Sequence, residues 1–328
     1  MNWPVAKLAR DKNKRTVVPV DKIVTLTMNP ALDVGTRITS VAPEIKLRCA
    51  TPEFHPGGGG INVSRAIHFL GGESIAVYAA GGHTGAMLTQ LLGAEGIKCR
   101  AVPIAGITRE SFVVYEEIST LQYRFTMPGP ELSAEEWIAC LEAVFNLEPD
   151  IIVASGSLPA GVPAEFYGEI TRYAAEYGIR AVVDTAGEPL HRAFGKGVYL
   201  MKPNLRELEL FAGENLHDEA GIKTVARRLI AEGLSEVIVV SMGAAGAALI
   251  TANEYQFLRA PIVKVQSKVG AGDSMVAGLV MGLAQGWDLR ETLCLGIAAG
   301  SAAVMTPGTQ LCGKDDAFKL YRRISDSA

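Results

Sequence analysis

The segment Ile23-Val24-Thr25-Leu26-Thr27 is rich in β-branched residues and begins an alternation that continues along the chain. Short apolar runs of this kind alternate with longer segments in which apolar residues recur at helical spacing. This alternation predicts an α/β fold with a mostly parallel sheet, covered by helices and joined by right-handed crossovers. Ligands of such folds bind beyond the carboxyl ends of the strands. The further predicted strands are residues 75–79, 151–154, 181–183, 199–201 and 237–241, and the predicted helices are residues 62–70, 85–95, 134–145, 164–177, 205–211, 222–232, 272–285 and 289–305.

Two segments, residues 33–54 and 108–127, interrupt the alternation because they lack a helical pattern. Within the second, residues 112–115 and 121–125 have the composition of two strands joined by a turn. We expect a small accessory sheet here. Because both segments enter and leave the main series on its ligand side, we hypothesise that they form a lid over the site. An edge hairpin without a role is the alternative.

The overall composition limits the classes of function. The chain has 328 residues, enough for a full-size core with an appendage. It carries 31 Lys and Arg against 35 Asp and Glu, a net charge of −4, so its overall field favours neither nucleic acid nor an anionic membrane. An anionic ligand must therefore be held by local groups.

The cysteines and the N-terminal segment bear on location and domain organisation. The five cysteines are far apart and form no C-x-x-C pair, which argues against a disulfide framework and indicates a reducing cytoplasm. Residues 1–20 are basic and contain no apolar run of the kind that a signal peptide needs. We expect them to be a mobile extension, and residues 21–328 to form the main domain.

Several familiar nucleotide and metal motifs are absent from the sequence. It contains no G-x-x-x-x-G-K-[ST], and no G-x-G-x-x-G follows a strand, so a P-loop kinase and a Rossmann dinucleotide site are both disfavoured. The five histidines show no metal-like spacing, which gives a zinc hydrolase little support.

The strongest local signal is Val269-Gly270-Ala271-Gly272-Asp273-Ser274, directly before an apolar helix. Small residues expose successive backbone N–H groups, and the positive end of the helix adds to them, so this segment can hold an anion. A carboxylate would repel a phosphate there unless it accepts a proton from a hydroxyl that attacks the phosphate. The alternative is that Asp273 only caps the helix.

A second glycine cluster, Pro56-Gly57-Gly58-Gly59-Gly60, leads through Asn62 into a predicted helix. Without side chains, the backbone could receive a polar ligand such as a sugar directly, with Asn62 adding amide hydrogen bonds. The alternative is a flexible loop.

Two further segments follow predicted strands. In Lys202-Pro203-Asn204-Leu205-Arg206-Glu207, the Asn-x-x-Glu pair is either a capping pair or a group that orders Mg²⁺ and its waters beside phosphates. The segment Ser241-Met242-Gly243-Ala244-Ala245-Gly246 is a glycine turn suited to the phosphates of a nucleotide, although any tight turn there would favour glycine.

With these segments in this order, the chain from about Ile23 to its C-terminal end resembles the PfkB, or ribokinase-like, family of carbohydrate kinases. It is similar to both family signatures, one in residues 57–82 and one with the G-A-G-D core in residues 268–279. Within the family it is most similar to the minor-isozyme branch of bacterial 6-phosphofructokinases. The related 1-phosphofructokinases are similar to it but typically have a lysine at the position of Gly59. The segments that carry this closer resemblance are residues 29–33, 46–49, 56–63, 122–125, 155–159 and 308–312.

The resemblance implies a three-layer α/β/α sandwich with a small β-sheet lid, and a role for each motif. Asp273 would be the base, and the N–H groups of Gly270, Ala271 and Gly272 would stabilise the transferring phosphoryl. Glu207 would act on Mg²⁺ through water. The sugar ligands would be Asp33, Gly58, Gly59 and Asn62, and the ligands of its phosphate would be Lys46, Arg109 and Ser157. The ATP ligands would be Lys202, Asn204, Ser241, Met242, Gly243, Ala244, Ala245 and Gly246.

Family members often also bind a monovalent cation, such as K⁺, through backbone carbonyls. Here the resemblance implies those of Ser267, Val269, Ala303, Thr306 and Gly308. Thr306 and Gln310 stand at positions where the members that this chain most resembles have Asn and Arg, and Arg206 replaces a lysine beside the ATP site. Without the resemblance, Lys46 and Arg109 would be ordinary surface charges.

The expected activity is the ATP-dependent phosphorylation of the C1 hydroxyl of fructose 6-phosphate, by a cytoplasmic homodimer that associates through its lids. Tagatose 6-phosphate and fructose 1-phosphate are alternative substrates. A non-catalytic sensor of sugar phosphate or nucleotide is the alternative from another class. The carboxylate of Asp273 argues against a sensor, because a protein that only binds has no need of it.

Overall fold

The computed structural model describes residues 21–193 and 195–327. The predicted basic extension, residues 1–20, lies outside the described residues. The strands are β1 (Ile23–Thr27), β2 (Ala31–Ile38), β3 (Glu53–Gly57), β4 (Ile75–Ala80), β5 (Cys99–Pro103), β6 (Arg109–Glu116), β7 (Gln122–Thr126), β8 (Ile151–Ser155), β9 (Arg180–Asp184), β10 (Leu200–Met201), β11 (Val237–Ser241), β12 (Ala247–Ile250) and β13 (Tyr255–Leu258). The helices are α1 (Gly59–Phe69), α2 (Gly82–Ala94), α3 (Ala134–Phe145), α4 (Phe166–Glu176), α5 (Glu188–Arg192), α6 (Leu205–Ala212), α7 (Glu219–Ala231), α8 (Ala271–Ala284), α9 (Leu289–Ala303) and α10 (Lys314–Ser327).

In the described part of the chain, nine strands form the main sheet in the order β13-β12-β11-β10-β9-β8-β1-β4-β5. All neighbours are parallel except β11–β12 and β12–β13, which are antiparallel. The mostly parallel α/β sheet is therefore confirmed, and the six predicted strands lie in it. Strands β5, β12 and β13 were not predicted. β5 is largely exposed and so lacks an apolar run, and β12 is a run of only four residues directly after the glycine turn.

The helices cover both faces of this sheet, which confirms the three-layer sandwich. Alternate strand residues point to opposite faces. Ile23 and Val153 pack with α1, α8, α9 and α10 on one face. Val24 and Ile152 pack with α3 and α4 on the other face, which α6 and α7 continue. None of the described helices is long and apolar enough to span a membrane.

Two described helices, α5 and α10, were not predicted. α5 is only five residues long and has no repeat to detect. α10 is highly charged, but Ala317, Leu320 and Ile324 are buried against the core at helical spacing. That periodicity was present in the sequence and could have revealed the helix.

A second, four-stranded sheet has the order β3-β2-β6-β7. Strands β2 and β6 are parallel, and both outer pairs are antiparallel. The predicted accessory sheet is thereby confirmed. Only three residues separate the end of β1 from the start of β2, so the second sheet starts at the carboxyl edge of the main sheet.

Helices α8 and α9 pack closely because glycines line their contact. A Cβ at Gly278 would lie 2.6 Å from the carbonyl oxygen of Leu295 and 2.9 Å from the Cα of Gly296. These neighbouring atoms belong to the backbone, so no side chain can rotate away. Any larger residue at position 278 must push the two helices apart.

We predict that Gly278→Ala lowers the free energy of unfolding by about 2–4 kcal/mol, because it overpacks the contact between two core helices. The matched control is Gly93→Ala in α2, where a new Cβ meets nothing within 4 Å. That variant should gain about 0.5–1 kcal/mol from helix propensity. Urea unfolding of both variants measures this, and equal effects would contradict the packing argument.

Candidate active site

Asp273 is the third residue of α8. Gly270 is the N-cap, in the left-handed region with φ 74°. The interpretation of Asp273 as the cap is therefore wrong. The Asp273 carboxylate instead accepts a hydrogen bond of 2.9 Å from the Nδ2 of Asn62, which comes from the first turn of α1. The first turn of a helix has backbone N–H groups without intrahelical acceptors, so an anion-binding surface lies next to this carboxylate.

Burial raises the pKa of Asp273 to about 6, and the neighbouring carboxylates of Asp184 and Asp33 act in the same direction. The hydrogen bond from Asn62 and the charge of Lys202 oppose this rise. A carboxylate with this pKa is ionised at neutral pH and yet is a stronger base than an ordinary aspartate. These are the properties of a general base.

Lys202 lies close to the first turn of α8. Its Nζ is 3.3 Å from the Oδ1 of Asp184 and 3.6 Å from the place of a Cβ at Gly272. Burial disfavours the charge of Lys202, but the carboxylates of Asp184, Glu207 and Asp273 outweigh this cost and raise its pKa. A buried, fully charged ammonium group therefore faces the anion-binding turn.

Asp184 was not among the predicted site residues. It ends β9, directly after the predicted strand 181–183. The rule that ligands bind at the carboxyl ends of parallel strands could have identified it, although no motif marks it.

Three of the glycines at residues 57–60 belong to β3 or α1, and Gly58 is the N-cap of α1, so the interpretation as a flexible loop is wrong. Gly57 ends β3 and α1 begins at Gly59. Gly58 has φ 116°, and a Cβ there would lie 2.7 Å from a methyl group of Thr27. A Cβ at Gly57 would collide with the Asp33 carboxylate. Position 57 must therefore be a glycine, because the Asp33 carboxylate occupies the space of a side chain.

Asp33 and Arg109 lie near each other at the start of the second sheet. Burial raises the pKa of Asp33 to about 6, although the charges of Arg109 and Arg124 oppose the rise. The Nη1 of Arg109 donates to the carbonyl of Met127 and its Nη2 to the carbonyl of Asn29, each at 3.1 Å. Arg109 is therefore a half-buried, anchored cation, and its interpretation as an ordinary surface charge is wrong.

Ser157 joins this group, whereas Lys46 does not. The Nδ2 of Asn29 donates to the Oγ of Ser157 at 3.1 Å. Lys46 is exposed in the segment between β2 and β3 and makes no hydrogen bond or ion pair within residues 21–193 and 195–327. Of the three predicted phosphate ligands, the fold of one chain brings together Arg109 and Ser157.

On the other side of Lys202, Asn204 and Glu207 form a capping box at the start of α6. The Oδ1 of Asn204 accepts from the backbone N–H of Glu207, and the Oε2 of Glu207 accepts from that of Asn204, both at 2.8 Å. The capping interpretation is confirmed, and it does not exclude a second role for Glu207, because the capping box uses only one oxygen of its carboxylate.

The turn that follows β11 lies beside this box. Gly243 has φ 57° and Gly246 has φ 115°, conformations that favour glycine. The turn is closed by a 2.9 Å hydrogen bond from the N–H of Met242 to the carbonyl of Gly246. It borders a groove of about 520 Å³. Residues that line this groove include Asn204, Arg206, Ser241, Met242, Gly243 and Ala245.

The segments that would carry a monovalent cation also meet. The Oγ of Ser267 donates to the carbonyl of Gly308 at 2.6 Å and accepts from the N–H of Val269 at 3.2 Å. The hydroxyl of Thr306 lies 2.7 Å from the carbonyl of Ala303. The segment that precedes α8 therefore lies beside the chain at Val304 and Gly308.

Comparison with known proteins agrees with this geometry. Residues 23–316 match the family described as pfkB family carbohydrate kinase. The chain belongs to the pfkB family of carbohydrate kinases. Over 93% of its length it is 44% identical to an ATP-dependent 6-phosphofructokinase isozyme 2 of Mycobacterium tuberculosis, covering 90% of that protein. It is 42% identical to the Escherichia coli protein of the same name, covering 93% of this chain and 99% of that protein.

Crystal structures of this pfkB-family relative from Escherichia coli share the fold. The structure in complex with fructose 6-phosphate superposes with a TM-score of 0.88 at 40% identity, and the structure in complex with potassium with 0.90 at 41%. Each comparison covers 93% of this chain and 99% of the other. A further structure of the same protein is described as a tetrameric inhibited form. A 1-phosphofructokinase of Bacillus subtilis is more distant, with 32% identity over 87% of this chain and 93% of that protein.

We predict that Asp273→Asn stabilises the fold at pH 8. The folded pKa of about 6 lies above the ordinary 3.8, so the folded state binds this proton more tightly and loses stability as pH rises from about 4 to about 6. Asparagine remains neutral and avoids this loss. The gain should be about 1–3 kcal/mol at pH 8 and smaller at pH 5.5. Urea unfolding at both pH values tests this, and a loss of stability independent of pH would contradict it.

Proposed function

We propose that this protein transfers the γ-phosphoryl group of ATP to the C1 hydroxyl of fructose 6-phosphate, giving fructose 1,6-bisphosphate. The observation that carries the proposal is the Asp273 carboxylate, with its raised pKa, at the start of α8 and beside the buried charge of Lys202. Relatives with 42–44% identity over most of the chain are named ATP-dependent 6-phosphofructokinases.

In the proposed mechanism, Asp273 accepts the proton of the attacking C1 hydroxyl. The hydrogen bond from Asn62 orients its carboxylate and helps to keep it ionised. The N–H groups of Gly270, Ala271 and Gly272 stabilise the charge that spreads over the phosphoryl oxygens. Preorganised donors of this kind contribute on the order of a hundredfold in rate. Lys202 adds a fixed positive charge to the same turn.

The sugar would lie on the bare backbone of Gly58 and Gly59, with Asp33 and Asn62 holding its hydroxyls. Arg109 and Ser157 would hold the phosphate that it already carries. Because Lys46 is exposed and makes no hydrogen bond or ion pair among the described residues, we propose that it joins this phosphate site only in the assembled enzyme. Gly59 supports the 6-phosphofructokinase assignment, since a Cβ there would lie 2.9 Å from the backbone nitrogen of Gly156. A lysine at this position would not fit without a shift of the backbone.

For the nucleotide, we propose that Lys202, Asn204 and the turn of residues 241–246 bind ATP. Mg²⁺, when bound with ATP, neutralises phosphate charge. Among the described residues no group of three carboxylate, histidine or cysteine side chains converges on a metal-sized position. We propose that the ion is held mainly by phosphates and water, and that the carboxylates of Glu207 and Asp184, which both act on the charge of Lys202, would order those waters.

Potassium and the assembly complete the proposal. The backbone carbonyls of Ser267, Val269, Ala303, Thr306 and Gly308 are the type of ligand that K⁺ takes, and the buried hydroxyl of Thr309 has no protein partner within the described chain. For the assembly, exposed apolar side chains on the second sheet favour a lid that pairs with that of a second copy. They include Phe54 and Phe125, 37% and 49% exposed.

The free thiols of the described cysteines support a reducing, cytoplasmic location.

We predict that, with MgATP, kcat/KM is at least tenfold higher for fructose 6-phosphate than for tagatose 6-phosphate or fructose 1-phosphate. Steady-state assays with the three sugar phosphates test this, and a negligible rate with fructose 6-phosphate would overturn the assignment.

Asp273→Asn should lower kcat by about 10²–10⁴-fold and largely spare ligand binding. The matched control is Asp288→Asn, since Asn remains a good cap for α9. A non-catalytic sensor would instead bind the ligands without turnover.

A further inference from the structure

Asn29 occupies the short connection between β1 and β2, where the main sheet passes into the second sheet. Only Met28, Asn29 and Pro30 separate the two strands. The proline favours an extended backbone at Asn29, which turns its carbonyl and its side chain toward different neighbours. No role for Asn29 follows from the phosphoryl-transfer chemistry described above.

The side chain of Asn29 holds Ser157. Its Nδ2 donates to the Oγ of Ser157 at 3.1 Å, across 128 residues of sequence. A Cβ at Gly129 would collide with the Oδ1 of Asn29, so the chain after β7 packs directly on this amide. Because the Ser157 oxygen already accepts a hydrogen bond, its own O–H is left to donate to another group.

The main chain of Asn29 holds Arg109. Its carbonyl accepts from Nη2 of the guanidinium, while Nη1 donates to Met127. Arg109 has five N–H donors, so three remain. One of them, at Nε, is buried and has no acceptor in the described part of the chain. A half-buried cation with an unsatisfied donor favours an anionic ligand.

We propose that Asn29 is the positioning residue for the phosphate of the sugar substrate. It aims the Ser157 hydroxyl as a donor and fixes the Arg109 guanidinium beside it, so that both donors converge on one phosphate group. The neutral amide is essential to this role. A carboxylate at position 29 would accept the Ser157 proton, turn that hydroxyl away from the phosphate and repel the phosphate itself. The inference rests on the proposed assignment of Arg109 and Ser157 to the sugar phosphate.

The test compares Asn29→Ala, Asn29→Asp, Ser157→Ala and the double variant Asn29→Ala/Ser157→Ala. Asn29→Ala should raise the KM for the sugar phosphate by about tenfold, the worth of one hydrogen bond. The KM for ATP should stay within twofold and kcat within about threefold. Asn29→Asp, of almost the same shape, should raise the KM for the sugar phosphate by about a hundredfold because it also adds a repelling charge.

The double variant shows whether Asn29 acts through Ser157. If it does, the double variant has the same KM for the sugar phosphate as Ser157→Ala alone. Additive effects would overturn the inference. So would an Asn29→Asp variant no worse than Asn29→Ala, or equal losses in the KM values of both substrates. The isosteric Asn29→Asp decides the matter by itself if Asn29→Ala unfolds at the assay temperature.

The wild-type enzyme separates this inference from the assignment of the substrate. If it turns over a different sugar phosphate, the fructose 6-phosphate proposal fails. The same KM comparison is then made with the sugar phosphate that is turned over, and it still decides whether Asn29 positions the phosphate-binding groups.

Discussion

The site depends on one steric constraint, which is that two chain segments approach the ligand position without room for a Cβ. At Gly57 the Asp33 carboxylate occupies the place of a side chain, and at Gly60 a Cβ would lie 2.7 Å from the hydroxyl of Thr27. On the opposite side, Gly270 starts α8 in a conformation that other residues rarely adopt. The 35 glycines of the chain thus include positions where the backbone itself is the proposed binding surface.

This close approach creates an electrostatic problem that the fold solves locally. Asp33, Asp184 and Asp273 lie near one another, and burial together with mutual repulsion raises the pKa of Asp273. Lys202 and the donor amide of Asn62 limit the rise. The balance leaves an ionised but basic carboxylate next to a helix start that attracts phosphate. A protein with a net charge of −4 can therefore bind polyanions through a few oriented donors and anchored cations such as Arg109.

Much of this arrangement follows from the sequence, and the failures have physical reasons. The apolar runs predicted the central strands because those strands are buried on both faces, whereas β5 is an exposed edge and has no such run. Glycine motifs identified the two helix starts. Sequence spacing could not tell whether Asp273 or Gly270 is the cap, because either residue is common there. Asp184 belongs to no motif, and Asn29 lies in a segment that carried the resemblance but gave it no role. Their contacts with Lys202, Ser157 and Arg109 show what each one holds.

The central claim is that Asp273 acts as a base whose pKa is set by burial and by Asn62. The most direct test is the pH dependence of kcat/KM for fructose 6-phosphate between pH 5 and 9, at saturating MgATP, for the wild type and Asn62→Leu. The account predicts an acid limb with an apparent pKa near 6, because burial raises the pKa of both Asp273 and Asp33 to about 6. In Asn62→Leu the limb should move to higher pH, because a hydrogen bond to the ionised carboxylate is lost. A rate that is independent of pH down to 5, or an acid limb that Asn62→Leu does not move, would contradict the account.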